Sequence, residues 1–260
     1  MPHSTDRDLL LAVPTSATQP STSRTAPIRL GQAAWALMFV VIYVMVAVGA
    51  ILALGLPGII EFTLESLLIV LLASVTAAAI LALYIHLIRR NRLTAADLGF
   101  RRITPRLLHL LWQIPVTVIV CALTQALFLS LLTLTEADAT TAGSTDGAFD
   151  DIARLPTYLA VIAVLVVAVL TPLWEEVLFR GAFLDGFSAR FGPAVAIILS
   201  AGLFAAVHVI PVSFAYLFML GIALALMRRF HQNLWASILL HAANNALVVF
   251  LALAAARSGG

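Results

Sequence analysis

The sequence predicts an all-α protein, a polytopic bundle of seven transmembrane helices enclosing a buried polar chamber. Three observations carry this expectation. Of the 260 residues, 62% are hydrophobic and only 11% are charged, whereas soluble domains carry about 25% charged residues. Charge-free intervals recur, each close to the roughly 20 residues that cross a hydrocarbon core of about 30 Å. The charges that remain alternate in sign from one interval's end to the next, as loops on opposite sides of a membrane do.

The elements follow in order. Residues 1–28, with "PTSATQPSTSRTAP", are rich in Ser, Thr and Pro and read as a disordered N-terminal tail. "LLLAV" at 9–13 is too brief for the core of a signal peptide. The transmembrane domain is expected over 29–260. Residues 33–55 form a first span, closed by the turn signal "GLPG", and 66–88 a second, running into "RRNR". Residues 107–134 form a third, with a kink expected at Pro115. The acidic, Thr-rich stretch 135–153 is a loop. A fourth helix opens near Pro156, a residue type favoured in a first helical turn. Residues 191–227 hold no charge, and Pro211 divides them into spans at about 191–209 and 212–229. The last span covers about 234–256.

All fifteen basic residues are arginine, and net charge is +2. They sit at the ends of apolar runs rather than in one patch, which speaks against a nucleic-acid partner. Arg89, Arg90, Arg92, Arg101, Arg102 and Arg106 crowd one loop, whereas Glu136, Asp138, Asp146, Asp150 and Asp151 fall in the next. By the positive-inside rule the N-terminus is cytoplasmic and the C-terminus outside. Richness in Arg and Ala without lysine points to the cell membrane of a high-GC bacterium. Cys121 is the only cysteine, which excludes an internal disulfide and reads as an inert packing residue.

The stretch "TPLWEEVLFRG" poses the functional question. Twenty uncharged residues separate Arg154 from Glu175, and Glu176 and Arg180 follow at once. Polar residues of the last four helices form pairs at i and i+4: Glu176 with Arg180, Phe204 with His208, and His241 with Asn245, with Asn244 adjacent. Each pair shares one face of its helix. Taken singly, each has a structural explanation, as interhelical glue or an interfacial charge. Taken together, they argue for a shared chamber, because a charge at a helix centre costs at least about 2.5 kcal/mol in hydrocarbon. His86, His109 and His231 lie beside arginines and read as interfacial.

Depth adds a constraint. Were the fourth helix to stop at Arg180, Glu175 would sit about 8 Å from its end and His208 about 22 Å in. The two meet only if one long helix covers about 156–187, kinked near Pro172, whose missing N–H frees a carbonyl.

"EEVLFRG", "FAAVH" and "HAANN" match EExxxR, FxxxH and HxxxN in order on successive helices. The sequence thereby strongly resembles the CAAX-protease and bacteriocin-processing (Abi) family of intramembrane endopeptidases, over a catalytic core of about 154–256. "LTAADLGFRR" at 93–102 looks like the loop before that core. Relatives are described with eight helices, against the seven counted in this chain. The resemblance implies that Glu175 activates a water, His208 holds or helps deprotonate it, and His241 and Asn245 stabilise the oxyanion. Glu176 and Arg180 would orient these groups.

The residue chemistry points the same way. Amide hydrolysis needs an activated water, an oxyanion partner and a proton donor for the amine, and no covalent nucleophile stands out. Glu175, His208 and His241 are also of the types that ligate zinc or another divalent ion. No HExxH occurs, and the expectation is a metal-free reaction on a peptide or protein substrate at the lipid bilayer. Two other classes stay open. A proton-coupled transporter would route protons through Glu175, His208 and His241. A non-catalytic immunity or anchoring protein would tolerate Glu175→Ala.

Overall fold

Apolar runs of bilayer length become helices because only a helix satisfies every backbone N–H and C=O within its own segment in hydrocarbon. The computed structural model describes residues 28–55, 63–134 and 156–258. Among them are seven helices and no strand. Helix α1 spans Leu30–Gly55. Helix α2 spans Leu64–Leu83 and continues through a π-helical segment, Tyr84–Arg89. It is N-capped by Thr63, whose hydroxyl accepts the Ser66 N–H. A 3-10 turn, Pro105–His109, leads into α3, Leu110–Leu134, which holds Pro115 in its interior as expected.

Helix α4 is one long rod of contiguous segments, Thr157–Leu165, Val166–Leu170, Thr171–Leu178, Phe179–Phe183 and Leu184–Phe191, the second and fourth π-helical. Gly192, at φ +81°, turns the chain, and Pro193 opens α5, Pro193–Val207. Glycine supplies the left-handed conformation and proline the first helical turn. A 3-10 turn, Pro211–Ser213, precedes α6, Phe214–His231, and α7 follows at Leu234–Ser258. Six of the seven are long and apolar enough to cross a membrane; α5, with 15 residues, is shorter. The protein is an integral membrane helical bundle. Met45, Val46, Leu123 and Leu127 point outward, as lipid-facing residues should.

Small residues set the close contacts. A Cβ built on Gly221 of α6 would come within 2.8 Å of the Ala201 Cα of α5, an approach that only glycine permits. The segment after α2 acts as a clamp on the second half. Leu98 is buried beneath Gly181 of α4. The Gly99 carbonyl accepts the Leu234 N–H at 2.9 Å, and Asn233 takes the Arg101 N–H on its side-chain oxygen at 3.2 Å. The start of α7 is therefore held by residues from before α3.

The structure amends four expectations. Helix α4 runs to Phe191 rather than 187, because Asp185, Ser188 and Arg190 are carried on a polar helical extension that needs no lipid cover. At Pro172 the helix widens into a π turn immediately upstream. Ile28, placed in the tail, is buried against the bundle; residues 1–27 and the loop 135–153 lie outside the described residues. His231, read as interfacial, is buried, with Nε2 2.9 Å from Gln113 Oε1 on α3.

Candidate active site

The geometry of the site begins with a proline. In the π segment before Thr171, the Thr171 N–H bonds back five residues to Val166 O. The next donor in that register would be residue 172, which is proline and has none. The carbonyl it leaves open, Val167 O, takes the side-chain Nδ2 of Asn245 from α7 at 3.0 Å. A missing hydrogen bond in α4 thus fixes the amide of an otherwise distant helix. Asn245 Nδ2 keeps a second N–H for another acceptor.

One turn further along α4, four charged or chargeable groups meet. Arg180 Nη1 donates to Glu176 Oε1 at 2.7 Å, and both side chains are completely buried. Arg180 Nη2 donates to the Gly221 carbonyl at 3.1 Å, reaching it where the small residues bring α6 close. His241 of α7 stands between the two glutamates, with Nδ1 3.0 Å from Glu176 Oε1 and Nε2 3.7 Å from Glu175 Oε2. A carboxylate that already receives Arg180 can only accept from His241, so Nδ1 carries a proton. Arg180 balances one carboxylate. A buried cluster of this kind is tolerable only when its charges cancel.

Phe204 of α5, fully buried, packs under these groups. Its ring lies 4.5 Å from the Arg180 guanidinium carbon. It meets the His208 and His241 rings edge-on at 4.7 Å and 5.5 Å. It therefore sets the position of two imidazoles and shields the arginine, a cation–π contact. His208 caps the end of α5, and its Nδ1 lies 2.7 Å from the Phe204 carbonyl. A carbonyl cannot donate, so Nδ1 carries a proton.

Glu175, His208, His241, Asn244 and Asn245 all line one cavity of about 330 Å³, with Val167, Thr171, Leu217, Leu220 and Val248 as apolar wall. Glu175 Oε2 is buried and has no hydrogen-bond partner. The group facing this oxygen is His241 Nε2, at 3.7 Å. Glu176, Arg180 and Phe204 lie behind the cavity wall. Depth agrees: Glu175 is about 24 Å from the Phe191 end of α4, and His208 about 22 Å from the start of α5.

Two contributing residues were missed in the sequence. Tyr216 lines the cavity and donates its hydroxyl to Asn244 Oδ1 at 2.6 Å. Gln125 of α3 grips the turn after His208 with both ends of its amide, Nε2 to Val212 O at 2.7 Å and Oε1 from Tyr216 N–H at 3.1 Å. A glutamine inside an apolar span was a signal, because a polar side chain there seeks a partner.

Among the described residues, no group of three His, Cys, Asp or Glu side chains is placed to hold a metal ion. Glu175, His208 and His241, the one set suggested by composition, do not converge as ligands; His241 is turned toward carboxylates on both nitrogens.

Residues 157–247 match the family described as Rce1-like, type II CAAX prenyl endopeptidase Rce1-like. The match covers α4 through most of α7 and stops short of α1–α3. No curated protein matches the chain. No solved structure matches it either.

Proposed function

With residues 157–247 belonging to the Rce1-like, CAAX-protease family, we propose that the chain is an intramembrane endopeptidase that hydrolyses a peptide bond at the cavity by a metal-free reaction. The observation that carries the reading is Glu175, buried and with no hydrogen bond on Oε2, lining a cavity shared with His208, His241 and Asn245. In the proposed reaction a water binds between Glu175 Oε2 and His208 Nε2. Glu175 takes its proton as the oxygen attacks the carbonyl carbon. The oxyanion receives N–H donors from Asn245 Nδ2 and His241 Nε2, and the proton on Glu175 passes to the departing amine. Removal of one such donor typically costs 10²–10³ in rate. Glu176 and Arg180 keep His241 turned so that Nε2 faces the cavity.

The substrate is proposed to be a peptide or protein segment presented at membrane depth, because the walls of the cavity are apolar and its floor is ionic. The test compares the membrane proteome of cells carrying the wild-type chain with that of cells carrying Glu175→Gln, inserted at equal level. Peptides that accumulate uncut with Glu175→Gln support the reading. Cleavage unchanged by Glu175→Gln and by His208→Ala would overturn it and favour a non-catalytic membrane role. Activity of protein stripped of metal by chelation, with no metal detected by elemental analysis, supports the metal-free form; loss restored by zinc would reject it.

A further inference from the structure

A second cavity, of about 300 Å³, lies far from the first in the chain, between the beginning of α1 and the end of α2. It is lined by Gly31, Gln32, Trp35, His86, Arg90 and Asn91. We propose that it binds the phosphodiester headgroup of an anionic glycerophospholipid.

The pocket is built by unusual backbone. Helix α2 ends in the π-helical Tyr84–Arg89, a widening that often marks a functional site. Asn91 folds back onto the carbonyls it exposes, with Nδ2 2.8 Å from Leu87 O and 3.3 Å from His86 O. Gln32 of α1 then donates Nε2 to Asn91 Oδ1 at 2.7 Å and accepts the Arg29 N–H on Oε1 at 2.8 Å. Two amides locked in this way make a fixed polar floor, and Gln32 Nε2 has one N–H to spare.

The remaining polar groups are a cation and an imidazole, both able to donate to an anion. Arg90 holds its guanidinium 5.4 Å from the Trp35 ring centroid, and among the described residues no carboxylate lies within ion-pair distance of it. His86 stacks flat on Phe39, with centroids 3.6 Å apart, and keeps Nε2 3.4 Å from the Tyr43 hydroxyl. None of the described residues lining the pocket is acidic. Its location selects a lipid over a soluble anion: the apolar runs of α1 and α2 leave the site on one side, with exposed Trp35, Met38 and Ile42 where acyl chains would lie. Arg89 and Arg92 follow on the other side, in the loop the positive-inside rule makes cytoplasmic. Basic pockets between helices at that surface bind anionic headgroups.

The open wall of the pocket supplies a clean test. A Cβ at Gly31 would meet nothing within 4 Å, so Gly31→Phe fills the cavity without disturbing the helix. The full chain, purified in detergent, is offered phosphatidylglycerol or phosphatidylcholine and examined by native mass spectrometry. The wild-type chain is expected to retain one phosphatidylglycerol and no phosphatidylcholine. Arg90→Ala should weaken retention about fivefold, and Gly31→Phe should abolish it. Arg102→Ala, an exposed arginine outside the pocket, should leave it unchanged. Excess inorganic phosphate that displaces the lipid identifies the phosphate as the recognised group and supports the site. Equal retention of both lipids, or equal loss in Arg90→Ala and Arg102→Ala, overturns the proposal. So does retention by Gly31→Phe that matches the wild-type chain. None of these readouts depends on peptidase activity.

Discussion

Arg180 is a cation with no access to water, and its tolerance rests on single atoms: Glu176 Oε1 at 2.7 Å and Gly221 O at 3.1 Å. Removing one partner of a buried pair strands the other, at about 3–5 kcal/mol. Arg180→Met should therefore lower stability by that order in a detergent unfolding titration. Glu176→Gln combined with Arg180→Met should recover part of it, since no charge is then left alone. Such recovery separates an ion-pair requirement from a packing requirement at the same positions. At this scale the sequence was informative within a helix and silent between helices. Glu176 with Arg180 could be read from i,i+4 spacing. The bridge from Glu176 to His241 joins residues 65 apart, and only the packing of α7 on α4 brings them together.

Pro172 and Gln125 show how helices were shaped to hold the site. Pro172→Ala restores an N–H that can compete with Asn245 for the Val167 carbonyl. Cleavage of the Glu175-dependent substrate should fall toward the roughly 10²–10³ that loss of one positioned donor costs, while thermal stability is kept. Equal cleavage by Pro172→Ala and the wild-type chain would show that the Asn245 anchor is dispensable. Gln125→Leu removes two hydrogen bonds from the turn after His208 and should cost roughly 1–2 kcal/mol, the upper range for bonds between membrane helices. Chemical unfolding of the reconstituted protein measures it. Helix spans were legible because the bilayer fixes their length, and Pro211 and Gly192 mark real breaks. The reach of α4 was legible only through depth, because Glu175, Glu176 and Arg180 imitate the charged end of a span. The two π turns were not legible, since each depends on a neighbour: Asn245 takes Val167 O, and Ser200 donates to Phe179 O at 3.3 Å.

The whole molecule divides into a family-like half, α4–α7, and a hairpin and helix, α1–α3, that brace it through Leu98, Gly99, Arg101 and Gln125. The orientation expected from the arginine loop can be checked because Cys121 is the only thiol. In a Cys121→Ala chain, a cysteine at Ser144 should react with a membrane-impermeant maleimide in intact cells. A cysteine at Ala95 should react only after permeabilisation, and the opposite pattern would invert the topology. The bridging role of His241 also has a consequence during synthesis. Glu176 leaves the ribosome 65 residues before the imidazole that completes its cluster. At about 5–20 residues per second, the interval is on the order of 3–13 seconds. A half-made chain therefore holds the buried Glu176–Arg180 pair without the imidazole that stands between the two glutamates.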